Sequence, residues 1–215
     1  MTNALVLDVD GTLVDSNYHH ALAWYRAFRR FDVTVPVWRI HRAVGMGGDR
    51  LVAAVAGQHV EDAHGDELRQ AWEDEFDPML DEVRPLEGAH RLVTAAVEAG
   101  FAVVLASSGK RRHVEHYVKL LEVDGVEATS SDDVDTTKPA PDLIEVALDR
   151  VAPDARAVVV GDSVWDCEAA RRAGRPVVAV RTGGFGEAEL RESGASTVYD
   201  ELDLVRADLH DLPLA

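Results

Sequence analysis

Cysteine is almost absent: Cys167 stands alone in 215 residues. No internal disulfide can form, and the chain is expected to suit a reducing cytoplasm. Lysine is nearly as scarce, with Lys110, Lys119 and Lys138 against a majority of arginines. Positive charge as a whole is in deficit, 22 Lys+Arg against 39 Asp+Glu, for a formal net charge of −17. Such a surface repels nucleic acid and anionic membranes, so neither is expected as a partner. Any site for an anion must gather its own cations. No apolar stretch approaches the ~18 residues needed to cross a membrane. The run after Met1-Thr2-Asn3 is too short for a signal peptide and has no basic residue before it. With 47% hydrophobic residues, the chain can bury a sizeable core as one large domain or as a domain carrying an insert.

Short apolar runs that end in polar residues give the clearest pattern. Ala4 to Val9 is the first. Phe101 to Ala106 ends at Ser107-Ser108-Gly109, and Ala157 to Val160 ends at Gly161-Asp162-Ser163. Val177 to Val180 ends at Arg181-Thr182-Gly183-Gly184. The runs are continuous rather than alternating, as expected for strands covered on both faces of a parallel sheet. Val126 to Thr129 and Thr197 to Tyr199 are shorter candidates. Helical patterns separate them: Gly88 to Ala99, Lys110 to Leu121, Pro141 to Val151 and Ser163 to Ala173. Strands alternating with helices predict an α/β fold, a Rossmann-like doubly wound parallel sheet with right-handed crossovers. Ligands bind such sheets at the carboxyl ends of the strands, where all these polar clusters lie. Residues 16–84 break the alternation. They hold amphipathic pieces (Tyr18 to Arg30, Asp49 to Ala56, Asp66 to Leu80) and no convincing strand, so they are expected to form an inserted α-helical cap domain. Residues 1–15 and 85–215 would form the α/β core. The acidic end, Asp200 to Asp211, reads either as a final helix or as a mobile tail.

The polar strand ends carry the chemistry. In extended chain, residues two apart point the same way, so Asp8 and Asp10 can converge while Val9 packs inward. Two converging carboxylates call for a cation between them, and Mg²⁺ favours carboxylate and phosphate oxygen. Ser107 offers a hydroxyl, and the Ser108 and Gly109 N–H groups enter a helix as an anion cradle; the same residues also read as an ordinary helix cap. Lys138, before Pro139, is a point charge suited to phosphate or a plain surface lysine. Asp162 can complete a metal site with Asp8 and Asp10, with Asp166 about one turn on and orienting the site from behind; Gly161-Asp162-Ser163 equally reads as a capped helix start.

Taken in order, Asp8-Val-Asp10-Gly-Thr-Leu-Val-Asp15, then Ser107 after an apolar strand, then Lys138-Pro139, then Gly161-Asp162-Ser163-x-x-Asp166 resembles the motif series of the haloacid dehalogenase superfamily. The likeness runs from Asp8 to about Gly184. It implies a phosphatase in which Asp8 is the nucleophile and a metal ligand. Asp10 would ligate Mg²⁺ through its main-chain carbonyl, protonate the leaving group and then activate water. Ser107 and Lys138 would hold the transferring phosphoryl group, Asp162 would bind Mg²⁺, and Asp166 would support it. The expected substrate is a small phosphorylated metabolite, a sugar phosphate or something like phosphoglycolate, turned over by a monomer.

Within that superfamily, Asp10 disfavours the dehalogenases, which lack the second carboxylate, and the transport ATPases, which place threonine there. Residues 16–85 contain no lysine for the Schiff base of phosphonate-cleaving members. β-Phosphoglucomutase is the nearest alternative, because Asp15 to Trp24 resembles its hinge and first cap helix, and His20 falls on its hinge histidine. Gly48, however, stands where that enzyme has a phosphate-binding arginine, with Arg50 two residues on as a possible substitute. His20 and Arg50 are therefore candidate substrate contacts, as are Arg39, His41 and Arg42 beside a plain solvated-face reading. A receiver domain is disfavoured by the insert, and a non-catalytic phosphate-binding protein by the intact acid–Ser–Lys–acid set.

Overall fold

The computed structural model describes residues 2–215. Six strands form one all-parallel sheet: β1 (Asn3–Leu7), β2 (Ala102–Ala106), β3 (Glu127–Thr129), β4 (Arg156–Gly161), β5 (Val177–Val180) and β6 (Thr197–Tyr199). Their spatial order is β3-β2-β1-β4-β5-β6, the doubly wound order whose direction reverses between β1 and β4. Continuous apolar sequence has the expected cause. Ala4 and Val6, Val104 and Ala106, Ala157 and Val159, and Val177 and Ala179 share one buried cluster with Ile144, Leu148 and Ala169. Alternate residues such as Leu5, Leu7, Leu105 and Val160 are buried as well, because strands with both faces covered need apolar side chains at every position.

The crossover helices are α5 (Ala89–Glu98), α6 (Arg111–Leu120), α7 (Asp142–Val151) and α8 (Val164–Arg172), numbered after four helices of the intervening segment: α1 (Asn17–Arg30), α2 (Val37–His41), α3 (Gly48–Ala56) and α4 (Gln58–Phe76). α9 (Glu187–Glu192) and α10 (Leu202–Ala207) complete the chain. The acidic end is thus helical in part: α10 buries Leu202 and Val205, and a 3₁₀ turn follows at Leu209–Asp211. No described helix is long and apolar enough to cross a membrane.

By packing, the chain divides into two compact units, Ser16–Val83 and the remainder. The helical unit has its own core, with Trp24, Phe28, Ile40, Leu51, Leu68, Trp72 and Phe76 in contact. A column of rings joins α1 to α4. His20 stacks on Phe76 at 4.0 Å, Trp24 on Trp72 at 5.5 Å, and Trp72 on Phe76 at 5.5 Å. His20 and Trp24 on α1, and Trp72 and Phe76 on α4, each sit four residues apart, which is why the rings line up.

Candidate active site

Parallel register explains where the acids meet. Leu7 pairs with Leu105 on one side and with Val160 on the other, and the Asp8 N–H donates to the Val160 carbonyl at 2.9 Å. One step past these pairs on β1 and two steps past them on β2 and β4, the central strands deliver Asp8, Ser107 and Asp162 to the same rim, at the point where strand order reverses. Gly11, at φ +81°, folds the chain back on itself after β1. That turn carries Thr12 inward, fully buried, with its hydroxyl 2.8 Å from Asp8 Oδ2 and 2.9 Å from Asp162 Oδ1.

Lys138 reaches the same place from the loop after β3. Its ammonium is buried, ion-paired to Asp8 Oδ1, 2.9 Å from Asp166 Oδ1, and donates to the Ala106 carbonyl at 2.8 Å. Burial opposes its charge, but the Asp166 and Asp8 carboxylates more than offset that and hold its pKa above the usual lysine range. Burial pushes the Asp8 carboxyl up to about 7; Asp166 adds to the rise and Lys138 opposes it. Asp166 serves two partners at once. Its Oδ2 accepts from the Ser163 N–H at 3.1 Å and the Ser163 hydroxyl at 2.6 Å, a capping box that starts α8, while its other oxygen faces Lys138.

Asp8, Asp162 and Asp166 each offer an oxygen within 4.8 Å of the others. Three buried carboxylates against one ammonium leave negative charge that a hard divalent cation suits. Asp10 is not part of that group. Its Oδ2 accepts from the Ser107 hydroxyl at 3.1 Å; the main-chain carbonyl ligation expected of Asp10 is what the family resemblance implies. Ser107 Oγ in turn accepts from the Gly109 N–H at 2.9 Å. The N–H expected to cradle an anion is therefore turned onto Ser107, because a serine oxygen readily closes a turn with the amide two residues on. Ser108 Oγ is buried without a hydrogen-bond partner among the described residues.

The loop that delivers Lys138 is fastened at Asp133. That carboxylate accepts from the Ser130 N–H at 2.9 Å, the Ser130 hydroxyl at 3.0 Å, Arg111 of α6 at 2.5 Å, and Arg150 of α7. His20 and Arg50 lie in the helical unit. His20 is packed in the ring column, and Arg50 is exposed with its guanidinium 3.7 Å from Asp49. Thr12 was not among the candidates read from the sequence; the signal available was its place in the Asp8-Val-Asp10-Gly-Thr string.

The haloacid dehalogenase-like hydrolase family model matches residues 2–174. The chain belongs to this family. It is an enzyme of the phosphoric monoester hydrolase type. It is 29% identical over 187 residues to the N-acetylmuramic acid 6-phosphate phosphatase of Pseudomonas aeruginosa, covering 84% of this chain and 82% of that one. It is 26% identical over 221 residues to the phosphoglycolate phosphatase of Mesorhizobium japonicum, covering 95% and 93%. The crystal structure of a hydrolase from Pseudomonas syringae superposes with a TM-score of 0.91 at 28% identity, covering 99% of each chain.

Proposed function

We propose that this family member hydrolyses the phosphomonoester of a small metabolite through an aspartyl-phosphate on Asp8. The observation that carries the reading is the convergence of Asp8, Lys138 and Asp162 at the ends of β1 and β4, with Asp8 and Lys138 buried and ion-paired. In this reading Asp8 attacks phosphorus, a P–O bond to Asp8 forms, and the bond to the leaving alkoxide breaks. Asp10 gives that alkoxide a proton and then takes one from the water that attacks the aspartyl-phosphate, releasing inorganic phosphate and restoring Asp8. Lys138 and Ser107 hold the phosphoryl oxygens, and most of the acceleration comes from that positioning and charge stabilisation. Asp8, Asp162 and the main-chain carbonyl of Asp10 would hold Mg²⁺, supported by Asp166; the ion, when bound, neutralises phosphate charge. The helical unit, residues 16–83, serves as the cap that selects the substrate.

Two relatives named for N-acetylmuramic acid 6-phosphate and phosphoglycolate support a sugar phosphate or short phosphorylated acid as substrate. A phosphoglucomutase-type reaction needs a grip on a second phosphate. The position that would supply it, Gly48, is crowded: a Cβ there would lie 3.2 Å from Arg69 Cγ and 3.3 Å from the Trp24 ring. Its carbonyl accepts from Arg69 at 3.1 Å. Hydrolysis is therefore favoured.

The test is phosphate release from a panel of phosphorylated acids, hexose phosphates and nucleotides with Mg²⁺, beside a chelator control and Asp8→Asn. β-Glucose 1-phosphate is also followed for isomerisation. Asp8→Asn should keep the fold and lose on the order of 10³-fold or more in turnover. Activity surviving in that variant overturns the nucleophile assignment, and isomerisation without release moves the reaction to a mutase.

A further inference from the structure

The polar segment after β5, Arg181-Thr182-Gly183-Gly184, has no part in the chemistry above, yet it touches both halves of the site. The Thr182 hydroxyl donates to the Gly11 carbonyl at 2.6 Å, so it holds the turn that separates Asp10 from Thr12. Gly183 lies directly against the Asp162 carboxylate: a Cβ built on it would overlap Asp162 Oδ2 and Cγ. The glycine's φ is not in the left-handed region, so its requirement is one of space and not of backbone conformation. On its other side, Asp162 Oδ1 meets the Thr12 hydroxyl at 2.9 Å, and the same hydroxyl is 2.8 Å from Asp8 Oδ2. Thr12, Asp162, Gly183, Thr182 and Gly11 thus form a closed ring of contacts that joins the end of β1 to the ends of β4 and β5.

We infer that the segment after β5 is a brace that sets the Asp162 carboxylate for metal binding, with Gly183 and Thr182 as positioning residues. The inference rests on the metal-assisted reading proposed above. The physical reason is that a carboxylate with free rotation about its side-chain bonds has many orientations, and groups behind a metal ligand that select one of them change metal affinity on the order of 10- to 100-fold. Gly183 selects by shape: it admits Asp162 Oδ2 into space that any side chain would fill. Thr12 selects by hydrogen bonding from the opposite side. Thr182 keeps Thr12 in place through the intervening Gly11 carbonyl. A one-hydroxyl change at position 182 should therefore be felt at a carboxylate it does not touch.

Mg²⁺ affinity of the full chain, measured by calorimetry and by the Mg²⁺-dependent rise in melting temperature, tests this without substrate. Gly183→Ala should weaken Mg²⁺ binding on the order of 10-fold or more, and it should also lower melting in chelator, because the added Cβ must displace the buried Asp162 carboxylate. Thr182→Val should weaken it several-fold, and Thr182→Ser, which keeps the hydroxyl, should restore it. Should Gly183→Ala fail to fold, the Thr182 pair decides alone. Unchanged Mg²⁺ affinity in Gly183→Ala, or equal loss in Thr182→Val and Thr182→Ser, overturns the brace. A wild type that binds no Mg²⁺ instead overturns the metal reading. A crystal structure of Gly183→Ala then decides the brace: Asp162 displaced by about 1 Å or more upholds it, since shifts of that size matter at reacting groups, and an unmoved carboxylate ends it.

Discussion

The rim of the sheet and the core of the helical unit are both dense, buried clusters, but they are held by opposite means. At the rim, Asp8, Asp162, Asp166 and Lys138 are ionisable groups out of water, with Lys138 the cation that Asp8 and Asp166 share. In the helical unit, His20, Trp24, Trp72 and Phe76 are stacked rings between α1 and α4, and ion pairs such as Arg69 with Glu61 and Asp66 sit nearer the surface. Charge compensation is least forgiving at its cation, since removing Lys138 strands the carboxylates it serves. Ring packing is graded, since a shape-conserving exchange is tolerated. The first arrangement suits chemistry that needs charge in a dry place; the second suits a rigid body that can vary in its surface.

The hardest break should come at Lys138. Lys138→Met removes the one ammonium among the carboxylates and leaves Asp8 and Asp166 buried and unpaired. Denaturant titration in chelator should show a loss of about 3–5 kcal/mol, along with loss of phosphate release. The comparison fails if the loss is no larger than that of Arg69→Met, whose partners can turn to water and whose loss should be about 1 kcal/mol.

His20 sharpens the contrast from the other side. His20→Ala removes a ring from a column in which only 7% of the residue is exposed, and should cost about 2–3 kcal/mol. His20→Phe keeps an aromatic ring of similar shape against Phe76 and should stay within about 1 kcal/mol of the wild type. Equal losses in the two variants would mean that the imidazole's polar atoms, and not its packing, hold α1 to α4.

The same contrast explains what could be read before the structure. Parallel strands with both faces covered demand unbroken apolar runs, so β1, β2, β4 and β5 stood out, and register then delivers whatever polar residue follows each run to one rim. Asp8, Ser107 and Asp162 were legible for that reason. Lys138 stood out because lysine is scarce. Helix boundaries were harder. α2 (Val37–His41), after Pro36, is too short at five residues to show a helical period and was not expected. α4 begins at Gln58 and not at Asp66, and it runs through Gly65 because Glu61 and Arg69 pair across the space its missing side chain leaves. Thr12 and Gly183 were not legible, because their significance is a contact with Asp162 that sequence spacing does not encode. The direction of the Asp10 carboxylate, toward Ser107, was hidden for the same reason.

The mildest test lies between the two regimes, at Asp133, a carboxylate that bears no chemistry yet fastens the loop leading to Lys138. Burial by itself would raise its pKa, but the Ser130 N–H, Arg150, the Ser130 hydroxyl and Arg111 together hold it at about 2, below the ordinary 3.8. A carboxylate depressed in the folded state stabilises the fold above its unfolded pKa, and that contribution disappears as pH falls from about 4 toward 2. Arg111 is 48% exposed and Arg150 33%, so solvent screens part of the effect, and about 1 kcal/mol is expected at neutral pH. Asp133→Asn should therefore unfold at lower denaturant than the wild type at pH 7. The two curves should draw together below pH 4, as protonation removes from the wild type what the substitution has already removed from the variant. A gap that persists unchanged to pH 2 would show that the asparagine disturbs the loop by shape and that the charge of Asp133 does not fasten it.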